Sequence, residues 1–166
     1  MIGRFISLQG VIAAGSVIGV LGIGGAFTKI GPWYENLRKP SWQPPGWLFG
    51  PVWTTIGVLT AISGLQAWHG VSEQRAGTLI TLFAINGGLN IAWSVLFFTA
   101  QRPDWALVEV VPLWLSVAAL VVCTASCSTT APWLLMPYLI WVGIAAFLNL
   151  AIVRLNGPFE QVATQA

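Results

Sequence analysis

Long apolar runs alternate with short polar connections along the whole chain. The runs span about residues 5–28, 47–68, 77–100, 104–124 and 131–154. Each is close to the roughly 20 residues that a helix needs to cross a bilayer. Helices satisfy their backbone hydrogen bonds within one segment, which lipid demands. The pattern therefore predicts an all-α fold, an integral membrane bundle of five transmembrane helices, with residues 1–166 forming one domain.

The composition supports a membrane protein and excludes several other classes. Apolar residues make up 56% of the chain and charged residues only 7%, against about 25% charged in soluble domains. The net charge of +2 is small and scattered, which argues against nucleic acid as a partner. With one histidine, His69, and two cysteines, no zinc pattern can be assembled. We expect no metal site and no required cofactor.

The first apolar run follows Arg4 and resembles the start of a signal peptide. It is longer than a usual signal-peptide core and no convincing cleavage site follows it, so we expect a retained span. Small residues recur along one face of this run, at Gly15, Gly19, Gly22 and Ala26. Such a stripe favours close helix packing, within the bundle or between protomers.

The first connection, residues 29–46, differs from the rest of the chain and is called the lid segment below. Residues 33–53, which overlap it, hold four of the ten tryptophans and four prolines. Proline fixes φ and removes a backbone donor, so we expect little helix here. Indole and phenol rings suit the membrane–water boundary. Two interpretations follow: an ordinary interfacial aromatic belt, or a stiff cover over a ligand site between helices.

Two amides lie inside the third predicted helix. Asn86, Asn90 and Trp93 recur at helical spacing and share one face. Amides in hydrocarbon are costly unless they face protein, a cavity or a ligand. They serve either as hydrogen-bonded contacts between helices or as ligand contacts.

One carboxylate, Glu109, also falls inside a predicted span, about one helical turn from its start. It either anchors a polar network near the interface or contacts a ligand, and we favour the structural role. Arg102 and Arg154 are its candidate partners, since all three lie near one membrane face.

The depth of these residues predicts where a pocket would lie. Counting helices through the membrane places the lid segment, the third connection and the C-terminus on one side. At 1.5 Å per residue, Trp53 lies ~9 Å and Trp93 ~10 Å below that face. Trp105 lies at the face, and Trp141 lies nearer the middle. We therefore expect an aromatic cavity beneath the lid segment.

Three sequence runs carry a resemblance to a known family. The first is WYENLRKPSWQPPGWLFGPVW at residues 33–53. The second is Asn90-x-x-Trp93-Ser94-x-x-Phe97-Phe98, and the third is Pro137-Tyr138-Leu139-x-Trp141, followed by Leu148-Asn149 and Arg154-x-Asn156. In order and spacing the chain resembles the translocator protein family, the bacterial tryptophan-rich sensory proteins (TspO/MBR), over about residues 30–156.

The resemblance implies a ligand class and a set of binding residues. Members of the family bind porphyrins such as protoporphyrin IX and haem, and eukaryotic members also bind cholesterol. The matching pocket positions, with Asn86 added from the helical pattern above, are Tyr34, Trp53, Asn86, Asn90, Trp93, Trp105, Trp141, Ala145 and Leu148. The family's cholesterol-recognition pattern has a tyrosine where this chain has Leu150, which speaks against a sterol bound through that motif.

Three functions remain open at this point. The preferred one is a membrane receptor, sensor or translocator that binds tetrapyrroles such as porphyrin or haem as ligands. The second is a light-dependent porphyrin-degrading enzyme, for which the resemblance implies Trp53 and Trp141 as catalytic residues. The third is a small-solute transporter, against which stands the lack of charged residues near mid-membrane to couple ions.

Orientation and assembly follow from weaker signals. The lid side carries five Lys and Arg residues and the opposite side two, so we expect the lid segment and the C-terminus to be cytoplasmic. Small residues at Ala84 and Gly88, and at Gly15 and Gly19, permit close helix contacts. Since relatives tend to be dimers, we expect a homodimer whose other partners are membrane lipid and a hydrophobic small molecule.

Overall fold

The computed structural model describes residues 8–28 and 30–159, and the side chains of 8–14, 17 and 21 are not part of that description. The described residues form helices and no strand. The helices are α1 (Leu8–Phe27), α2 (Pro32–Asn36), α3 (Gly46–Gly70), α4 (Glu73–Ser94), α5 (Pro103–Ala125) and α6 (Ala131–Asn156). Some residues used in the sequence analysis lie outside the described ranges. They are Arg4, residues 5–7 of the first predicted helix, Lys29 and the end of the polar tail, 160–166.

Within residues 8–28 and 30–159, four helices are long and apolar enough to cross a membrane. They are α3, α4 with its extension to Thr99, α5 and α6. The fifth predicted span corresponds to α1, a helix of 20 residues whose N-terminal flank lies outside the described range. An all-α bundle with at least four candidate spans is therefore confirmed, and the count of five stays a prediction.

The five long helices form a closed ring. Helix α1 packs against α3 and α4, α3 packs against α6, α6 against α5, and α5 returns to α4. The inside of the ring is a core that includes Val110, Leu113, Val117, Tyr138 and Val142. Large apolar side chains also cover the outside, as expected where the surrounding solvent is lipid: Val108, Val122 and Phe147 are each at least two-thirds exposed.

The lid segment contains a helix that we did not expect. Helix α2 begins at Pro32, where the fixed φ of proline suits the first helical position and its missing N–H would have had no partner. The prediction of an almost helix-free lid is therefore wrong at Pro32–Asn36. Residues 37–45, which include three of the prolines, are irregular as predicted.

Helix α4 continues into a π-helical segment, Val95–Thr99. Its wider turn is closed by the Ala100 N–H, which donates to the Val95 carbonyl at 2.8 Å. The chain then leaves the helix at Gln101, which has a left-handed φ of 54°. Segments of this kind shift the register of the side chains that follow, and this one turns Phe97 and Phe98 towards the lid segment.

Candidate ligand-binding cavity

A cavity of about 490 Å³ lies between α1, α3 and α4. This volume falls within the range of small-molecule pockets, about 300–1,000 Å³. Its walls run along α3 from Trp53 to Trp68 and along α4 from Leu79 to Ile91, and Tyr138 of α6 borders it from the far side of the ring. Most of the described lining is apolar, and its polar members are Ser16, Thr60, Asn86, Asn90 and Tyr138.

Small residues leave the space open. On α3 the lining includes Gly57, Ala61 and Gly64, which share one helix face at spacings of four and three. Helix α4 contributes Ala84, Gly87 and Gly88 to the lining. Gly87 also allows α1 to pack close to α4. A Cβ at Gly87 would lie only 3.0 Å from Val20 Cγ2. Larger residues on these faces would fill the cavity or push the helices apart.

The two amides of α4 connect the cavity wall to the rest of the ring. Asn86 Nδ2 donates to Ser116 Oγ of α5 at 2.8 Å. Asn90 Nδ2 donates to the Tyr138 hydroxyl of α6 at 3.0 Å. Both side chains are almost fully buried, and both border the cavity. The contact between helices is therefore present, the same residues also line the cavity, and their contact with a ligand stays a prediction.

Aromatic side chains fill the region directly beneath the lid segment. Trp93 stacks on Phe97 with ring centroids 5.1 Å apart, and Tyr34 lies 5.5 Å from Phe98. Trp33 meets the edge of Phe97 at 6.2 Å. We call Trp33, Tyr34, Trp93, Phe97 and Phe98 the aromatic cluster. Burial here raises the pKa of the Tyr34 phenol above its ordinary value.

The structure separates the predicted site residues into groups. Trp53, Asn86 and Asn90 line the cavity, whereas Tyr34 and Trp93 belong to the aromatic cluster. Leu148 is buried against that cluster. Trp141 meets Phe49 of α3 at 5.6 Å, Ala145 is half-buried one turn further along, and Trp105 is 57% exposed. Six of the predicted site residues therefore do not line the cavity: Tyr34, Trp93, Trp105, Trp141, Ala145 and Leu148. The sequence predicted one aromatic cavity beneath the lid segment. The structure has a packed aromatic cluster there, and the cavity lies beside it, towards α1.

Three of the predicted tryptophans nevertheless share one core. Trp53, Trp93 and Trp141 all pack against the core that contains Ile56 and Tyr138. Trp53 meets Tyr138 edge-to-face, with centroids 6.0 Å apart. These rings point into the bundle rather than into lipid, and Trp53 is the member that reaches the cavity.

Sequence reasoning missed several lining residues, chiefly Thr60, Phe83 and Tyr138. Tyr138 belongs to the third of the family-like runs, and its sequence context alone does not mark it as a site residue. A usable signal was present for α3: Gly57, Ala61 and Gly64 mark one face with little side-chain volume. Such a face either packs tightly against a neighbour or borders a space.

The partner predicted for Glu109 is wrong. Arg102 instead forms an ion pair with Asp104, with Nε donating to Oδ1 at 2.8 Å and Nη2 donating to Oδ2. Asp104 lies only two residues from Arg102 and binds its guanidinium in place of Glu109. Arg154 is exposed. Both carboxyl oxygens of Glu109 are buried, and no described residue hydrogen-bonds to them.

Comparison with known proteins supports one family. The model of the TspO/MBR family matches residues 11–155. The "Tryptophan-rich protein TspO" of Chlorobaculum tepidum is 41% identical over 137 residues, which cover 80% of this chain and 86% of the relative. "Protein CrtK" of Rhodobacter capsulatus is 36% identical over 86% of this chain and 89% of its own length. The pig "Translocator protein" is 38% identical over 75% of each chain.

These relatives span bacteria and mammals, and the matched range includes the lid segment and all but the first three residues of α1 and the last residue of α6. The helical membrane architecture, the inward-facing rings of Trp53, Trp93 and Trp141 and the extent of the match agree with one another. The chain is therefore a multi-pass membrane protein that belongs to the TspO/MBR family.

Proposed function

We propose that this protein is a membrane sensor or translocator that binds tetrapyrroles, and similar flat hydrophobic molecules, in the cavity between α1, α3 and α4. The names of the relatives, which include tryptophan-rich sensory and translocator proteins, support the sensing or translocating role. The ligand class rests on the chemistry of the site.

The observation that carries the proposal is the cavity itself. Apolar walls favour a ligand that partitions into the bilayer, and the few polar side chains would fix its orientation. The indoles of Trp53 and Trp68 stand at the two ends of the α3 wall. Flat aromatic faces suit a planar conjugated ring, which gains contact area with little loss of conformational freedom.

Titration of tryptophan emission with protoporphyrin IX tests the proposal. We expect saturable quenching in the wild-type protein and a smaller quenched fraction in Trp53→Phe, because Trp53 lines the cavity. Trp133→Phe is the matched control, since Trp133 is 72% exposed and does not line the cavity. Emission that does not saturate, or that responds equally in both variants, would refute binding at this site.

Light-dependent degradation of the bound porphyrin by dioxygen is the second candidate. The position of Trp53 on the cavity wall favours it, since an indole next to a photoexcited ring can donate an electron to that ring. Illumination of the aerobic complex distinguishes the two functions. Loss of the porphyrin absorption band that depends on Trp53 and Trp141 favours the enzyme, and a stable band favours a receptor or translocator.

The orientation and the assembly belong to the same proposal. The excess of Lys and Arg on the lid side supports a cytoplasmic lid segment. Of the small residues expected at a dimer contact, Ala84 and Gly88 border the cavity. A homodimer that used this face of α4 would therefore place the partner beside the bound ligand, and crosslinking in detergent with and without protoporphyrin IX tests that arrangement.

A further inference from the structure

Helix α1 closes the cavity at the end near the lid segment. The Thr99 hydroxyl donates to the Phe27 carbonyl at 3.2 Å, and a Cβ added to Gly24 would lie 3.7 Å from Ser94 Oγ. At the other end the lining reaches Trp68, where α3 has only two residues left, or ~3 Å along the helix axis. The cavity therefore extends close to the membrane face opposite the lid segment.

None of the described lining residues carries a charge. The polar ones present only hydroxyl and amide groups: Ser16, Thr60, Asn86, Asn90 and Tyr138. An ionised carboxylate buried among such walls without a cation beside it would be costly. A tetrapyrrole with propionates therefore fits the cavity only if its carboxylates reach a polar end of it.

Both helical walls of the cavity are continued by a basic residue at this end. On α4, Phe83 and Leu79 line the cavity, and Arg75 lies one further turn towards the start of the helix. On α3, Leu65 lines the cavity, and His69 lies one turn further on. Residues four apart are neighbours on a helix surface. Arg75 and His69 therefore stand at the rim of the cavity, just beyond its apolar walls.

The guanidinium of Arg75 is available to a ligand. Arg75 is exposed, and the ion pair found among the described residues joins Arg102 to Asp104 instead. Glu73 is two residues away in the same helix, a spacing at which side chains do not face each other. Side chains lean towards the start of their helix, which carries this guanidinium to the polar boundary of the membrane. There it can offer a carboxylate two parallel N–H donors.

We propose that Arg75 binds the carboxylates of an amphiphilic tetrapyrrole whose ring lies in the cavity. This narrows the ligand class to flat molecules with carboxylates along one edge, of which protoporphyrin IX is one. It also orients the ligand, with its acidic edge at the membrane face opposite the lid segment. The inference rests on the proposed function and adds the residue that recognises the acidic edge.

The test compares protoporphyrin IX with its dimethyl ester, which has the same ring and no carboxylate. Tryptophan quenching gives the dissociation constant of each ligand, and the ester-to-acid ratio is then compared between wild type and Arg75→Gln. Because the same ratio is taken for each protein, the unequal partition of the two ligands into detergent cancels. We expect the ratio to fall about fivefold in Arg75→Gln, and further in Arg75→Glu, which repels the acid.

Arg154→Gln is the matched control. It removes the same charge from an exposed position at the lid end of α6, and we expect it to leave the ratio unchanged. Salt provides a second readout that needs no variant. In wild type the ratio should fall as salt is raised, because an ion pair at the rim is screened.

Three results would each overturn the inference: an unchanged ratio in Arg75→Gln, an equal fall in Arg154→Gln, or a wild-type ratio that does not depend on salt. Saturable binding of both ligands would in those cases leave the proposed function standing. Wild-type protein whose emission neither ligand quenches saturably would overturn the proposed function as well.

Discussion

Arg38 of the lid segment and Asn156 at the end of α6 exchange a reciprocal pair of hydrogen bonds. The Arg38 backbone N–H donates to Asn156 Oδ1 at 2.7 Å, and Asn156 Nδ2 donates back to the Arg38 carbonyl at 2.8 Å. Asn156 Nδ2 also reaches the Ile152 carbonyl at 2.8 Å. One side chain therefore fastens the irregular part of the lid segment to the last turn of the last helix.

The first prediction concerns this attachment. Asn156→Ala removes both hydrogen bonds to the lid segment, and we expect trypsin to cleave after Arg38 about tenfold faster, because local opening becomes easier. Asn36→Ala is the matched control, since Asn36 is exposed in α2 and is not a side-chain partner of any described residue. Equal cleavage rates in wild type and Asn156→Ala would show that other contacts hold the lid segment.

The second prediction concerns the close approach of Gly70 to the connection between α5 and α6. A Cβ at Gly70 would lie 2.0 Å from the Cys127 carbonyl oxygen, a backbone atom that cannot move independently. We expect Gly70→Ala to lower the free energy of unfolding by about 1–3 kcal/mol. The thermal midpoint in detergent should fall by several degrees.

The control for Gly70 is Gly77→Ala, in the first part of α4, where an added Cβ has nothing within 4 Å. Alanine favours the helix over glycine by about 0.5–1 kcal/mol, so the thermal midpoint should stay constant or rise slightly. The packing argument fails if both alanine variants have the same midpoint.

The third prediction concerns Glu109, whose carboxyl oxygens are buried with no hydrogen-bond partner among the described residues. A charge in such surroundings destabilises the folded protein. We therefore expect Glu109→Gln to raise the thermal midpoint at pH 8 or leave it unchanged. Asp104→Asn should instead lower it slightly, because it breaks the ion pair with Arg102. A large destabilisation by Glu109→Gln would indicate that the carboxylate has a partner in the folded state.

Hydrophobic length alone predicted most of the fold. The fourth predicted helix, 104–124, differs by one residue at each end from Pro103–Ala125. The two features that were missed are local: α2 begins at a proline that was taken only as a helix breaker, and the π-helical segment after α4 has no signature in the apolar pattern. The two features meet in the structure, where Tyr34 of α2 packs against Phe97 and Phe98 of the π-helical segment.

The sequence predicted how deep the site residues lie in the membrane, but not which neighbouring helix each of them faces. Residue counting placed Trp53 and Trp93 at similar depths, and helical spacing placed Asn86 and Asn90 on one face. Neither residue counting nor helical spacing reveals which neighbouring helix a given helix face contacts. In the ring, α4 lies between α1 and α5, so its asparagines border the cavity while Trp93 turns to Phe97.

Asn149 illustrates the same limit. The sequence groups it with the aromatic residues of α6, yet it is 1% exposed and holds α5 to α6. With its amide in the orientation that satisfies both groups, it donates to the Pro103 carbonyl and accepts from the Leu107 N–H, each at 3.0 Å. This contact stabilises the bundle and takes no part in the cavity.

The fourth prediction is the most direct test that the cavity between α1, α3 and α4 is the ligand site. Ala61→Phe places a ring in the cavity from the α3 wall, whereas Ala118→Phe adds the same ring to α5 at a half-buried position that does not line it. The measurement is the dissociation constant of protoporphyrin IX for the two variants. We predict about a tenfold or greater increase for Ala61→Phe alone, and equal dissociation constants in wild type and Ala61→Phe would contradict the account.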